Sequence, residues 1–203
     1  MSAASVERHH GDRPLIAEAN RLMERNPGYR VEIIGGLILV SPPPDVAHAR
    51  ALARLTRPFT AAGIDGSETE VLQGVGLWLP SGSEDYAVPD LVVVDADIEE
   101  HFVGNNCYEP VAFRLVLEVT STNWKADLQT KVAAYADANV PVYVVVDRKH
   151  QRLHVLTDPE GNTYATHRVH APGELVALPD SLGAKVTLDV AEILDAGQAK
   201  RTP

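Results

Sequence analysis

The chain contains a single cysteine, Cys107, among its 203 residues. One cysteine excludes an internal disulfide and suits a reducing cytosol. No early apolar run follows a basic start, so no signal peptide is predicted. No apolar stretch reaches the roughly 18 residues that a membrane span requires. These absences predict a cytoplasmic protein without a membrane segment.

Positive charge is also scarce, with 18 Lys and Arg residues against 28 Asp and Glu residues. The formal net charge is −10 at pH 7. Because phosphate binding rests on Lys and Arg, this charge opposes non-specific adhesion to DNA. Any nucleic-acid role must therefore use a local basic patch, a metal ion, or both.

Several familiar catalytic patterns are missing. One cysteine and scattered histidines do not supply the spacing of a tetrahedral zinc site. The segment Gly74-Val75-Gly76 is not followed by the lysine of a phosphate-binding loop. No Ser-His-Asp arrangement has motif support, so the chemistry must come from other groups.

Composition and length favour one globular domain. Hydrophobic residues make up 45% of the chain and charged residues 23%, which are ordinary globular values. A chain of this length can bury a substantial core. We predict a disordered leader over residues 1–11, a single domain over 12–197 and a flexible tail over 198–203.

Apolar periodicity and turn residues predict a mixture of helices and strands. The strand–helix–strand order from 112 to 147 indicates a crossover between parallel neighbours. We therefore expect an α/β or mixed α+β fold with one central sheet. The predicted helices are 12–25, 46–61, 123–139 and 190–194; the predicted strands are 29–34, 37–40, 71–72, 75–79, 90–94, 112–119, 142–147, 152–156, 163–169 and 174–178; residues 81–87 are predicted to form a polar loop.

The predicted helix over 123–139 carries a lysine on its apolar face. At about 100° per residue, Lys131 projects into the middle of the apolar stripe, and Asp127 lies one turn earlier at its edge. A charge that faces the body of a protein costs several kcal/mol unless it is paired or used. The apolar stripe consists of Trp124, Leu128, Val132 and Tyr135.

Two acids lie at the ends of predicted apolar strands. Asp90 immediately precedes the run from Leu91, and Glu118 lies near the end of the strand over 112–119, on the face opposite to Leu117 and Val119. Asp90 could simply terminate its strand or cap a turn. Glu118 could form a structural salt bridge with Lys131.

A functional interpretation accounts for Asp90, Glu118 and Lys131 together. Two neighbouring carboxylates repel each other, and a divalent cation relieves that repulsion. Such a cation polarises a phosphoryl oxygen and lowers the pKa of a bound water. A nearby ammonium can stabilise developing negative charge or orient the water. These parts predict a metal-dependent hydrolytic site.

The helix over 46–61 offers two further candidates. His48 lies on its apolar face, where a satisfied core histidine is the simpler interpretation. Arg50, Arg54 and Arg57 share the opposite face and form the only compact basic stripe in the sequence. A solvated basic face is the usual explanation, and contact with DNA phosphates is the alternative.

Glu32 and Ser121 are supporting candidates. Glu32 lies in the first strand of the predicted hairpin, either as a solvent-facing edge residue or as a third inward acid. Ser121 and the following Thr122 are most simply caps of the helix that carries Lys131.

Several of these segments, taken in order, resemble the Uma-two family of predicted restriction endonucleases within the PD-(D/E)XK nuclease superfamily. Each segment alone is weak, but the ordered set is fairly specific and covers most of residues 29–147. The matching segments are Tyr29-Arg30-Val31-Glu32-Ile33-Ile34-Gly35-Gly36, Ser41-Pro42-Pro43-Pro44 with His48, Val88-Pro89-Asp90-Leu91-Val92, Leu117-Glu118-Val119-Thr120-Ser121, Asp127-Leu128-Gln129-Thr130-Lys131 with Tyr135, and Val140-Pro141-Val142-Tyr143-Val144-Val145-Val146-Asp147.

The resemblance implies a restriction-endonuclease-like central mixed sheet flanked by helices, with an N-terminal helix and hairpin and a β-rich C-terminal part. Asp90 and Glu118 match the aspartate and glutamate of the motif. Thr120 stands where the superfamily lysine would fall, and Lys131 matches a lysine that has migrated to the next helix. Glu32 and His48 match further polar positions of the family.

We therefore expect a Mg²⁺-dependent or Mn²⁺-dependent endonuclease that hydrolyses DNA. Asp90 and Glu118, with the Val119 carbonyl, would hold the metal, and Asp127 would position Lys131. A homodimer is expected, because cleavage of a duplex cuts two strands. The alternatives are a non-catalytic binding or assembly module with the same fold and a hydrolase of a small phosphorylated substrate.

Overall fold

Strands dominate the part of the chain described by this computed structural model, which comprises residues 5–6, 14–120 and 126–198. The α-helices are α1 (Leu15–Arg25), α2 (Val46–Ala61), α3 (Lys131–Asp137) and α4 (Val190–Ala196). The strands are β1 (Ser5–Val6), β2 (Arg30–Ile34), β3 (Leu37–Ser41), β4 (Thr69–Leu72), β5 (Gly76–Trp78), β6 (Tyr86–Ala87), β7 (Leu91–Asp95), β8 (Phe102–Gly104), β9 (Cys107–Tyr108), β10 (Phe113–Val119), β11 (Val142–Asp147), β12 (Arg152–Glu160), β13 (Thr163–His170), β14 (Leu175–Ala177) and β15 (Thr187–Asp189).

A six-stranded mixed sheet carries most of the core, in the order β13-β12-β11-β10-β7-β4. Strands β10 and β11 are parallel, as predicted from the crossover, and the other neighbours are antiparallel. Both faces are covered, because the buried strands are apolar at almost every position. On one face Leu115 and Leu117 belong to the same core cluster as α2 and α4, and on the other Val116 joins residues of α3.

A second, seven-stranded sheet has the order β1-β3-β2-β6-β5-β9-β8. Helix α1 packs beside β2 through a small core that contains Ala19, Val31 and Ile33. Residues of this sheet, such as Ile34 and Leu77, also complete the core on the α3 side of the six-stranded sheet. The two sheets therefore meet along one apolar layer.

The first hairpin is confirmed and is held by a buried carboxylate. Gly35 and Gly36 both have positive φ angles, as a two-residue hairpin turn requires. The Asp85 side chain accepts hydrogen bonds from both glycine N–H groups, at 2.7 and 3.1 Å, and from the Ser81 hydroxyl at 2.7 Å. This carboxylate fixes the turn and therefore the position of β2.

The mixed α/β class is confirmed, but the expectation of one central sheet is wrong. Short strands were predicted on either side of Gly74, over 71–72 and 75–79, and both are present as β4 and β5. Gly74 has a φ of +70°, and the chain changes sheet there, so that β4 pairs with β7 and β5 pairs with β6 and β9. The expected edge strand near 174–178 forms a separate ribbon of β14 and β15.

Two local predictions are also corrected. The loop predicted over 81–87 ends in β6, because Tyr86 is buried and pairs with Ile33 and Trp78. The helix predicted over 123–139 is described only from residue 126, where a π-helical turn, Ala126–Thr130, precedes α3. Such wider turns are often found at functional sites.

A short N-terminal strand adds to the edge of the seven-stranded sheet. Ser5–Val6 pairs with β3, whose outer edge offers backbone N–H and C=O groups. Helix α1 begins at Leu15, whose N–H donates to the Glu84 carboxylate at 2.9 Å. Residue 12, where the predicted helix begins, lies outside the described residues, and the predicted bounds of the leader, the domain and the tail remain predictions.

The described helices include none with the length and apolarity needed to cross a membrane.

Replacement of Asp85 by Ala should destabilise the protein by about 2–4 kcal/mol, because three donors would lose their acceptor at a buried position. Urea unfolding followed by circular dichroism measures this loss. The matched control is Asp97→Ala, at an exposed aspartate, which should change the free energy of unfolding by less than about 0.5 kcal/mol. Equal stability of Asp85→Ala and the wild type would show that the carboxylate does not hold the turn.

Candidate active site

The site lies where the chain passes from one sheet to the other. Residues 88–90 connect β6 of the seven-stranded sheet to β7 of the six-stranded sheet. The Val88 N–H donates to Glu32 at 2.8 Å, and its carbonyl accepts from Arg30 at 2.9 Å. Side chains from both sheets therefore converge on this connection.

Asp90 is held at this connection by three separate elements. Its Oδ2 accepts from the Val119 N–H at 2.8 Å and lies 2.9 Å from His48 Nε2. Its Oδ1 accepts from Arg30 Nη1 at 2.6 Å. The buried carboxylate thus connects the start of β7 to β10, α2 and β2. A residue that only terminated its strand or capped a turn would not contact three other elements.

Glu118 and Lys131 form a buried ion pair. Glu118 is 1% exposed and Lys131 is 2% exposed. Glu118 Oε1 accepts from Lys131 Nζ at 2.7 Å and from the Tyr135 hydroxyl at 2.8 Å. The lysine projects inward from the first turn of α3, as its place in the apolar stripe predicted.

Glu32 is the third inward acid, and the interpretation as a solvent-facing edge residue is wrong. It is 2% exposed, since β2 lies between β3 and β6 and is not an edge strand. Its Oε1 lies 3.0 Å from Lys131 Nζ. Lys131 therefore bridges the acid of one sheet, Glu32, and the acid of the other, Glu118.

Arg30 is a site residue that the sequence analysis did not identify. Its guanidinium lies within 4 Å of all three acids: Nη1 is 2.6 Å from Asp90, Nη2 is 3.8 Å from Glu118 and Nε is 3.8 Å from Glu32. The available signal was its spacing of two from Glu32, which puts both side chains on one face of β2. Tyr135 was identified only as an apolar position.

Electrostatics keep Asp90 and Glu32 ionised despite their burial. Burial alone would raise the pKa of Asp90, but the hydrogen bond from His48 and the charge of Arg30 hold that pKa well below its usual range. Burial would likewise raise the pKa of Glu32, but the charges of Lys131 and Arg30 lower it. The three acids raise the pKa of Arg30 despite its burial. Asp90, Glu32 and Arg30 are therefore charged at neutral pH.

His48 belongs to the site as well as to the core. The α2 helix begins beside it, with Asp45 as the N-cap that accepts from the His48 N–H at 2.6 Å. The imidazole Nε2 donates to Asp90, while Nδ1 is buried with no hydrogen-bond partner in the described structure. The ring therefore orients Asp90.

The basic stripe lies elsewhere. Arg50, Arg54 and Arg57 line an open groove beside α4, on the side of α2 opposite to His48. Arg54 pairs with Glu192 at 2.9 Å on the surface. The structure does not join this stripe to the acids, and its contact with DNA remains a prediction. Two other candidates, Ser121 and the Asp127 side chain, lie outside the described residues.

The donor set suits a hard divalent cation in kind. Mg²⁺ and Mn²⁺ prefer oxygen ligands, and Asp90, Glu118 and Glu32 each offer a carboxylate oxygen within 4 Å of the Arg30 guanidinium. In the described parts of the chain, no group of three or more His, Cys, Asp and Glu side chains is already arranged to hold a metal ion. Protein cations hold the carboxylate oxygens instead.

The comparisons agree with this architecture. A family model named Uma2, described as "Putative restriction endonuclease", matches residues 16–191. The chain belongs to the Uma2 family. A crystal structure titled as a putative nuclease of DUF820 from Anabaena variabilis matches with a TM-score of 0.64 and 16% identity, covering 83% of this chain and 91% of that one. That likeness confirms a nuclease-like fold. No curated protein matches the chain.

Thr120 illustrates how this Uma2 chain departs from the superfamily motif. It stands where the motif lysine would fall, is 1% exposed, and accepts a hydrogen bond from the Arg148 N–H at 3.0 Å. The ammonium of Lys131 instead enters from α3. The Thr120 hydroxyl therefore holds the backbone that follows β11 beside the end of β10.

Replacement of Lys131 by Met should destabilise the protein by about 3 kcal/mol at pH 7, because two buried acids lose their counter-charge. The difference in free energy of unfolding between the wild type and Lys131→Met should shrink below about pH 5. In the wild type the lowered pKa of Glu32 contributes stability above its ordinary value of 4.5, and this contribution is lost as the pH falls. In Lys131→Met the acids can take up protons in the folded state.

Urea unfolding of both proteins from pH 8 to pH 4 measures the difference, with the exposed Lys185→Met as the matched control. If Lys131→Met were as stable as the wild type at pH 7, or lost more stability relative to it on acidification, Lys131 would not be the counter-charge of Glu32 and Glu118.

Proposed function

We propose that this protein is a metal-dependent endonuclease that hydrolyses DNA phosphodiester bonds. The observation that carries the proposal is the buried convergence of Asp90, Glu118 and Lys131, which come from different elements and are far apart in sequence. Burial of such charges gives little net stability, because the cost of removing them from water offsets their attraction. Membership in the Uma2 family and the nuclease-like fold support the same reaction class.

Asp90 and Glu118 would hold the divalent cation, with the Val119 carbonyl as a further oxygen. When bound, such an ion polarises a phosphoryl oxygen and lowers the pKa of a bound water. Mg²⁺ or Mn²⁺ is expected, because the candidate ligands are carboxylate and carbonyl oxygens.

The remaining residues would place charge and orient ligands. Lys131 presents an ammonium that can orient the attacking water or stabilise the charge that develops on the phosphoryl group. Glu32 positions that ammonium at 3.0 Å. His48 orients Asp90, and Tyr135 orients Glu118. These two contacts would fix the orientation of the Asp90 and Glu118 carboxylates before substrate binds.

DNA is the expected substrate, although the net charge of −10 opposes phosphate binding over most of the surface. Arg50, Arg54 and Arg57 are the proposed phosphate contacts away from the acids. A homodimer would supply the second site that cleavage of both strands requires. Measurement of DNA affinity against salt concentration tests the contacts, since polymeric DNA binding weakens steeply with salt.

The Glu118→Gln and Asp90→Asn variants should each lower metal-dependent nicking of plasmid DNA by at least about 100-fold, because each removes a charged ligand at the reacting centre. The assay compares Mg²⁺, Mn²⁺ and chelator on plasmid, linear duplex and single-stranded DNA, with circular dichroism to confirm folding. Asp95→Asn, at the other end of β7, is the matched control and should retain activity. Cleavage at the wild-type rate in either site variant would remove the mechanism.

A non-catalytic binding or assembly module is the second candidate. It is favoured by the engagement of the acid oxygens with Arg30 and Lys131 and by the lack of a ready metal cage among the described residues. Calorimetric titration with Mn²⁺ separates the two. The nuclease should bind in the micromolar to millimolar range, whereas a folded protein that binds no metal at millimolar concentration would be a binding module.

A further inference from the structure

Arg30 holds the oxygen of Asp90 that a metal ion would need. The other oxygen, Oδ2, already accepts from the Val119 N–H at 2.8 Å and from His48 Nε2 at 2.9 Å. These two donors come from β10 and α2, which fix the carboxylate plane. Oδ1 is therefore the oxygen left for a further ligand, and Arg30 Nη1 lies 2.6 Å from it.

The guanidinium is held less firmly than the lysine. Lys131 is almost fully buried between two carboxylates, whereas the Arg30 side chain is 28% exposed. Nη1 has two short contacts, to Asp90 and to the Val88 carbonyl, but the contacts of Nη2 and Nε with acids are long, at 3.8 Å. Nε is buried with no hydrogen-bond partner in the described structure. Arg30 can therefore leave toward solvent more readily than Lys131.

The crowding of cations at the site also favours a movable one. Three carboxyl groups face Arg30 and Lys131, so these two protein cations already offset most of the negative charge. A divalent cation beside both would place three positive groups close together in a largely buried site, where like charges repel more strongly than they do in water. Movement of the more exposed cation relieves that repulsion.

We propose that Arg30 is the resident counter-ion of the metal-free site and that a divalent cation binds by displacing its guanidinium from Asp90 Oδ1. Arg30 thereby stabilises the metal-free fold and weakens metal affinity. The inference rests on the proposed metal-dependent function, but it concerns a residue that the metal-ligand assignment does not include.

The test is calorimetric titration of Mn²⁺ into the wild type and Arg30→Met, a variant with an apolar side chain of comparable length. The variant should bind Mn²⁺ about tenfold more tightly, because the competing charge is gone. Arg25→Met, an exposed position in the last turn of α1, is the matched control for net charge and should bind as the wild type does. Thermal unfolding should show a lower Tm for metal-free Arg30→Met and a larger rise in its Tm with Mn²⁺.

The outcomes separate this inference from the function on which it rests. Tighter binding by Arg30→Met, including binding by the variant where the wild type shows none, supports it. Equal or weaker binding by a folded Arg30→Met, beside measurable binding by the wild type, overturns the role of Arg30 and leaves the metal site intact. Binding by neither protein overturns both.

A second measurement uses the wild type and does not depend on the variant folding. Phenylglyoxal modifies accessible arginines, and mass spectrometry of peptides reports each position separately. Mn²⁺ should raise the modification rate of Arg30 relative to that of Arg25 in the same sample. An unchanged or lower relative rate in a protein that calorimetry shows to bind Mn²⁺ would contradict the displacement.

Discussion

The balance between three buried carboxylates and two protein cations is the interaction on which the rest of this structure depends. An isolated buried carboxylate would take up a proton or disrupt the core. Here Lys131 joins Glu32 to Glu118, and Arg30 reaches Asp90. Because these acids come from two different sheets, the same ion pairs that keep them charged also hold the sheets together.

The connections between the two sheets and the helices beside them bring these charged side chains together. The segment over 88–90 leaves one sheet and enters the other, and its backbone contacts both Arg30 and Glu32. Helix α2 supplies His48 from one side, and α3 supplies Lys131 from the other. A site whose side chains come from several packed elements favours fixed orientation of those side chains over adaptability.

The parts of the site that the sequence predicted were those that broke a local pattern. Lys131 interrupts an apolar stripe, and Asp90 and Glu118 border apolar strands, so each required an explanation. Arg30 broke no pattern, because an arginine at the start of a strand is ordinary, and its role depends on a contact 60 residues away. The division into two sheets was likewise missed, since it is decided by the backbone turn at Gly74 rather than by the strand pattern.

We expect that a divalent metal ion replaces the Arg30 guanidinium at Asp90. A crystal structure determined with Mn²⁺ tests this most directly, because manganese is located by its anomalous scattering. We expect an anomalous peak about 2.2 Å from oxygens of Asp90 and Glu118, with the Arg30 guanidinium moved off Asp90. A crystal containing Mn²⁺ that shows no peak at these acids, with Arg30 still paired to Asp90, would contradict it.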